Sequence, residues 1–246
     1  MRFTSEQRFD DGVLEREFTL GDDIPGILWT PASATAASPA RLILAGHPGG
    51  LPMMYPRLVA RARHAAAEGY ASASIELPWS GDRPRSADAD EARAELRAAV
   101  RAGEPVSDDV VDRLVLPLVE QSVPEWRAAL DDLLALPEIC GPAGFAGGVI
   151  AIGVRLAAVE PRIAAAVLFA GSYVPRRMFE EARQVTIPLH VLLQWDDEGN
   201  DRQMALDLFD AFGSAEKTLQ ANMGGHTGVP QFAADNANRF FDRHLK

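Results

Sequence analysis

The sequence is short of the residues that several large function classes require. It has one cysteine, Cys140, among 246 residues, so no internal disulfide can form; a lone thiol fits a reducing compartment. Its five histidines (His47, His64, His190, His226, His244) are scattered, without the Cys/His spacing of a metal cluster. No metal and no cofactor is therefore implied. Lys and Arg number 24 against 35 Asp and Glu, a formal net charge of -11. Phosphate binding needs an excess of Lys and Arg on one face, and no basic stripe with interleaved aromatics is present, so no nucleic-acid partner is expected. No apolar run reaches the roughly 18 residues of a membrane helix. Residues 1–12, MRFTSEQRFDDG, are polar and charged, unlike a secretory signal. These absences leave a soluble cytoplasmic enzyme or binding protein. A composition 47% apolar and 24% charged is that of a globular chain, and its length suffices for one large α/β domain with a substantial core.

What is present is an alternation of two periodicities. LEREFTL and IPGILWT alternate and predict a hairpin at the sheet edge, followed by a surface loop, TPASATAASPA (30–40). From residue 41 strands alternate with helices. RLILAG (41–46) is a short strand stopped by glycine. YPRLVARARHAAAEG (55–69) reads as a helix with Pro56 in its first turn and Gly69 at its stop. YASASIE (70–76) is the next strand. Ser122 and Glu125 form a capping box before VPEWRAALDDLLALP (123–137), which places Trp126, Ala129, Leu130, Leu133 and Leu134 on one face. PAGF reads as a short strand and GGVIAIGVRLAAVE as a buried helix. IAAAVLFAG (163–171) and PLHVLLQ (188–194) are fully apolar, as strands covered on both faces are. A helix (DRQMALDLFDAFG), a strand (KTLQANM) and a closing helix (VPQFAADNANRFFDRHL) follow.

This pattern predicts a single α/β domain over 1–246: a mostly parallel sheet flanked by helices on both faces. Chemistry then belongs in loops beyond the C-terminal ends of the strands. Residues 86–120 interrupt the alternation with two helical patterns after the fourth predicted strand. Their stripe of Val110, Val111, Leu114, Val115 and Leu118 suits packing on the sheet or a cap over the strand ends.

Four strand ends carry unusual residues: HPGG at 47–50, AGG after GF at 144–145, WDDEGND after 194, and MGGHTGVP after 222. In GFAGG, Gly144 and Gly148 stand two residues either side of Ala146, where small residues let a strand and a helix approach across a sharp turn. The order of these motifs resembles the α/β-hydrolase superfamily, with features of its dienelactone-hydrolase-like and small-esterase branches, from about residue 25 to the end. That superfamily orders its triad nucleophile, acid, base. The resemblance implies that Ala146 occupies the nucleophile position and that His226 is the base. The acid is Asp197, with Asp196 as alternative and Glu198 and Asp201 behind; the unused carboxylate would cap the next helix. It implies oxyanion donors at the Gly147 amide and at the His47 amide, or Gly49 if the loop folds otherwise; Pro48 has no N–H to give.

Ala146 cannot attack a carbonyl carbon. Cys140 lies on the order of 20 Å away along an extended strand, and Ser172 lacks an elbow. The implied activity is cleavage of a small carboxylic ester or lactone by a serine hydrolase, present here with an inactivating Ser-to-Ala change at 146. The alternatives are a natural ligand-binding pseudo-hydrolase and a cofactor-free lyase or isomerase using His226. Trp79 and Tyr173 are candidates for substrate contact, as are Met178, Arg83 and Arg85. The C-terminal helix and the sheet edge are surfaces open to a homodimer, and nothing in the sequence separates that from a monomer.

Overall fold

The computed structural model describes residues 1–246. The apolar runs become the centre of a nine-stranded sheet, and the amphipathic segments become seven helices over it. The strands are β1 (Arg2–Arg8), β2 (Leu14–Leu20), β3 (Ile24–Thr30), β4 (Ala40–Gly46), β5 (Ala71–Ile75), β6 (Ile139–Gly147), β7 (Ile163–Phe169), β8 (Leu189–Gln194) and β9 (Lys217–Asn222). The helices are α1 (Leu51–Ala67), α2 (Ala87–Ala102), α3 (Asp108–Leu134), α4 (Ile150–Val159), α5 (Arg177–Ala182), α6 (Arg202–Ala211) and α7 (Phe232–Leu245). The strand order is β1-β2-β3-β5-β4-β6-β7-β8-β9. From β5 onward along the order β5-β4-β6-β7-β8-β9 every pairing is parallel, while β1–β2, β2–β3 and β3–β5 pair antiparallel. The parallel run puts residues 47–50, 76–83, 148–149, 170–176, 195–201 and 223–231 along one edge of the sheet.

Side-chain alternation sorts β6 between two faces. Ala143 and Phe145 join the large core under α3 and α4, while Ala146 joins a smaller cluster with Ile43, Val167, Phe240 and Phe241 under α7. A Cβ on Gly144 would lie 2.6 Å from the Phe241 ring, so only glycine lets α7 settle there. Trp126, 1% exposed, meets Phe145 edge-on with ring centroids 6.1 Å apart. Trp126→Ala is expected to cost about 3–5 kcal/mol, read as a lower midpoint in urea with the slope unchanged.

Three sequence expectations are corrected. The hairpin β2–β3 is not the sheet edge, because the polar N-terminal segment pairs outside it as β1, exposed at every position. The helical insertion consequently follows the fifth strand rather than the fourth. The capping box at Ser122 does not start a helix, since α3 runs unbroken through Pro117, Ser122 and Pro124. The apolar stripe Val111, Val115, Val119, Trp126, Leu130 and Leu133 stays buried on both sides of Ser122, and that packing outweighs the local start signal. Half of the insertion is thus a core layer, and α2 packs on α3, tied by Arg113 to Glu95 at 2.7 Å.

Candidate active site

A carboxylate followed by the loop of a neighbouring strand end is the best-formed constellation. Asp197 is 8% exposed just past β8, and its Oδ2 lies 2.6 Å from Nδ1 of His226 in the loop after β9. A carboxylate only accepts, so Nδ1 carries a proton, which in the neutral ring leaves the lone pair on Nε2. The Phe169 ring stands edge-on to the imidazole with centroids 5.6 Å apart. Of the two neighbouring acids it is therefore Asp197 that reaches the imidazole. Asp196 instead accepts the N–H groups of Gly224 (2.9 and 3.0 Å) and Gly225 (2.9 Å). Those amides hold its carboxyl below the usual aspartate value. Asp196 does not cap α6; that is done by Asp201, which accepts from the Met204 amide at 3.1 Å. Gln194, 1% exposed, donates to the Gly225 carbonyl at 2.8 Å.

The HPGG segment forms a four-residue loop, because α1 starts at Leu51 rather than near Tyr55. His47 is buried; Nε2 donates to the Ile75 carbonyl at 2.9 Å, and Nδ1 has no partner. A Cβ on Gly148 would lie 3.0 Å from the His47 nitrogen, so the turn after β6 and the His47 amide are in close apposition. Burial pushes the pKa of His47 and of His190 below 6.5. The unfolded chain then binds protons near pH 6.5 that the folded chain refuses, so stability present above that pH is lost as pH falls through it. Denaturation at pH 7.5 and 5.5 should show the loss, and His190→Gln should shrink it; an equal pH dependence in the variant would refute the assignment.

Ala146 lies within β6, opposite Ala45, with its side chain in the apolar cluster. The left-handed conformation falls on the next two residues, Gly147 and Gly148, each at φ +77°. The turn at the end of β6 thus begins one residue later than the sequence motif places it. Gly148 is obligatory, since a Cβ there would come within 2.9 Å of the Gly46 Cα. The alternative nucleophile Ser172 has an inaccessible, unpartnered hydroxyl.

Trp79 and Tyr173 lie in the loops after β5 and β7, on the same sheet edge. Three residues weighed for substrate contact are engaged elsewhere. Met178 is fully buried in the main core, Arg83 is paired with Glu125, and Arg85 with Asp90. Sequence reasoning passed over Arg61 on α1, whose guanidinium donates to the carbonyls of Ala146 (2.9 Å) and Gly46 (3.3 Å). It also passed over Asn200, which bonds the Ala170 carbonyl at 2.8 Å, and Glu76. Of these only Glu76 had a signal: an acid closing an apolar strand. No group of three or more His, Cys, Asp or Glu is placed to hold a metal, and no helix is long and apolar enough to cross a membrane.

The strand order and the reversal at β3, with the acid–histidine pair at the carboxyl edge, give the chain an α/β-hydrolase fold, and it is similar to esterases and dienelactone hydrolase of that fold. A cold-adapted esterase from an Arctic intertidal metagenomic library, solved as a PEG-bound complex, is 28% identical over 100% of both chains, with TM-score 0.75. Dienelactone hydrolase from Anabaena variabilis shares the fold at 17% identity and TM-score 0.60, covering 98% of this chain and 99% of that one. The esterase Pf2001 of Pyrococcus furiosus does so at 11% identity and TM-score 0.62, over 99% and 93%. No family model and no curated protein matches the sequence.

Proposed function

We propose that this protein is an ester- or lactone-directed α/β-hydrolase whose covalent step is closed at position 146. The Asp197–His226 pair at 2.6 Å is the observation that carries the reading. A hydrolase with serine at 146 would attack the carbonyl carbon while His226 Nε2 takes the hydroxyl proton. His226 would return that proton to the leaving alcohol and then activate the deacylating water, with Asp197 holding the ring and stabilising its cationic form. The His47 and Gly147 amides would face the oxyanion, each donor worth about 3 kcal/mol. Substrate contact falls to Trp79 and Tyr173. The esterase likeness over the whole chain at 28% identity supports the substrate class.

In its alanine form the chain then binds small esters or lactones without turning them over. The test compares the chain with Ala146→Ser, using p-nitrophenyl acetate and butyrate and a fluorophosphonate label. A folded serine variant that neither labels nor turns over would sink the reading. Turnover of a non-ester substrate by the alanine form would favour a His226-based lyase or isomerase instead. The protein is placed in the cytoplasm and without a cofactor on the same reading; light scattering of the purified chain distinguishes monomer from homodimer.

A further inference from the structure

The loops after β4 and β5 meet on a buried carboxylate that the proposed chemistry leaves unused. Glu76, 2% exposed, is the first residue past β5. Its Oε2 accepts the Leu51 amide at 2.9 Å, the first N–H of α1 and the end of the His47–Gly50 loop. Its Oε1 accepts the Ser80 hydroxyl at 2.5 Å and the Leu77 amide at 3.2 Å. Neutral donors rather than a cation meet the charge, and a buried charge is tolerated only when hydrogen bonds replace its lost water.

The surroundings are shaped to this carboxylate. A Cβ on Gly81 would lie 2.3 Å from Oε2, and one on Gly50 would lie 3.2 Å from the Gly81 nitrogen. The same turn holds Trp79 at φ +60°, the one non-glycine residue of the chain in the left-handed region. A bulky residue persists there only where its surroundings over-determine it. The Glu76 carbonyl also accepts from Arg83 Nη1 at 3.1 Å, and Arg83 grips Glu125 of α3 at 2.8 and 2.6 Å.

Both ends of the 47–50 loop are thereby tied to the end of β5, His47 through its ring to Ile75 and Leu51 through its amide to Glu76. We propose that Glu76 is a positioning residue that aims the His47 amide by pinning the far end of its loop. This rests on the oxyanion role given to His47 above.

Two measurements separate the two ideas. Hydrogen exchange on the full chain reads the pinning without any activity. In Glu76→Ala, peptides covering 47–51 and 76–83 should exchange at least tenfold faster while those covering β7 and β8 stay unchanged, and Glu76→Gln, which keeps one acceptor oxygen, should recover part of the protection. Unchanged loops, or equal acceleration everywhere, overturn the positioning role. In the Ala146→Ser background, Glu76→Gln should then lower kcat at least tenfold with KM within twofold. A parallel rise in KM, or an unaltered kcat in an active background, likewise overturns it. If the serine background is inert while the two loops respond, the positioning stands and the ester reading fails.

Discussion

Ala146→Ser should raise p-nitrophenyl butyrate hydrolysis at least about a thousandfold over the chain as it stands. In serine hydrolases the triad acts as a unit, and removing its nucleophile costs on the order of a million in kcat. What remains in its absence comes from binding and the oxyanion hole. On the proposed reading the Asp197–His226 pair and the apposed His47 and Gly148 backbones are in place, and the nucleophile's oxygen is the part to be supplied. Ala146 is 7% exposed beside Ile43 and Val167, so the added hydroxyl costs about 1–3 kcal/mol if unpaired, which a melting curve of the variant reads. Gly147→Ser is the necessary companion, because the left-handed backbone falls on 147. A side chain there would have to displace the Arg61 guanidinium, which would stand 2.9 Å from its Cβ. Turnover and fluorophosphonate labelling in the 147 variant but not the 146 variant would move the nucleophile to the turn residue.

Asp197→Asn in the active serine background should cost about four orders of magnitude in kcat, and His226→Ala at least as much. An asparagine can present its NH₂ to Nδ1, which favours the tautomer with the proton on Nε2 and removes the base. Asp196→Asn should cost only about tenfold, since its carboxylate touches the Gly224 and Gly225 amides and not the ring. The test is kcat for the three variants side by side, with melting curves to show that each folds. Equal losses for the two aspartates would mean that Asp197 acts by holding the loop rather than the imidazole.

The parallel core was legible from the apolar runs of the sequence. RLILAG, IAAAVLFAG and PLHVLLQ are apolar on both faces, and only a strand covered twice can bury such a run. The carboxyl-edge placement of HPGG, WDDE and GGHTG followed from the alternation, because parallel strands all end on one side. The extent of α3 was not legible. Ser122, Pro124 and Glu125 spell a helix start locally, and continuous burial against the sheet overrules them. The N-terminal strand β1 carried no signal either, since an exposed edge strand buries nothing and shows no apolar alternation.

At the site the division is physical. Residue types and their chain order, a run of local information, established that a histidine, adjacent acids and a glycine-rich turn would share one edge. Which aspartate meets the imidazole depended on two loops, 29 residues apart in sequence, closing on each other. The same holds for Glu76, 25 residues from the Leu51 amide it accepts, and for the turn at 147–148, whose handedness is a backbone property. Local sequence carries propensity and period, whereas these choices are made by contacts between segments that only the folded sheet brings together.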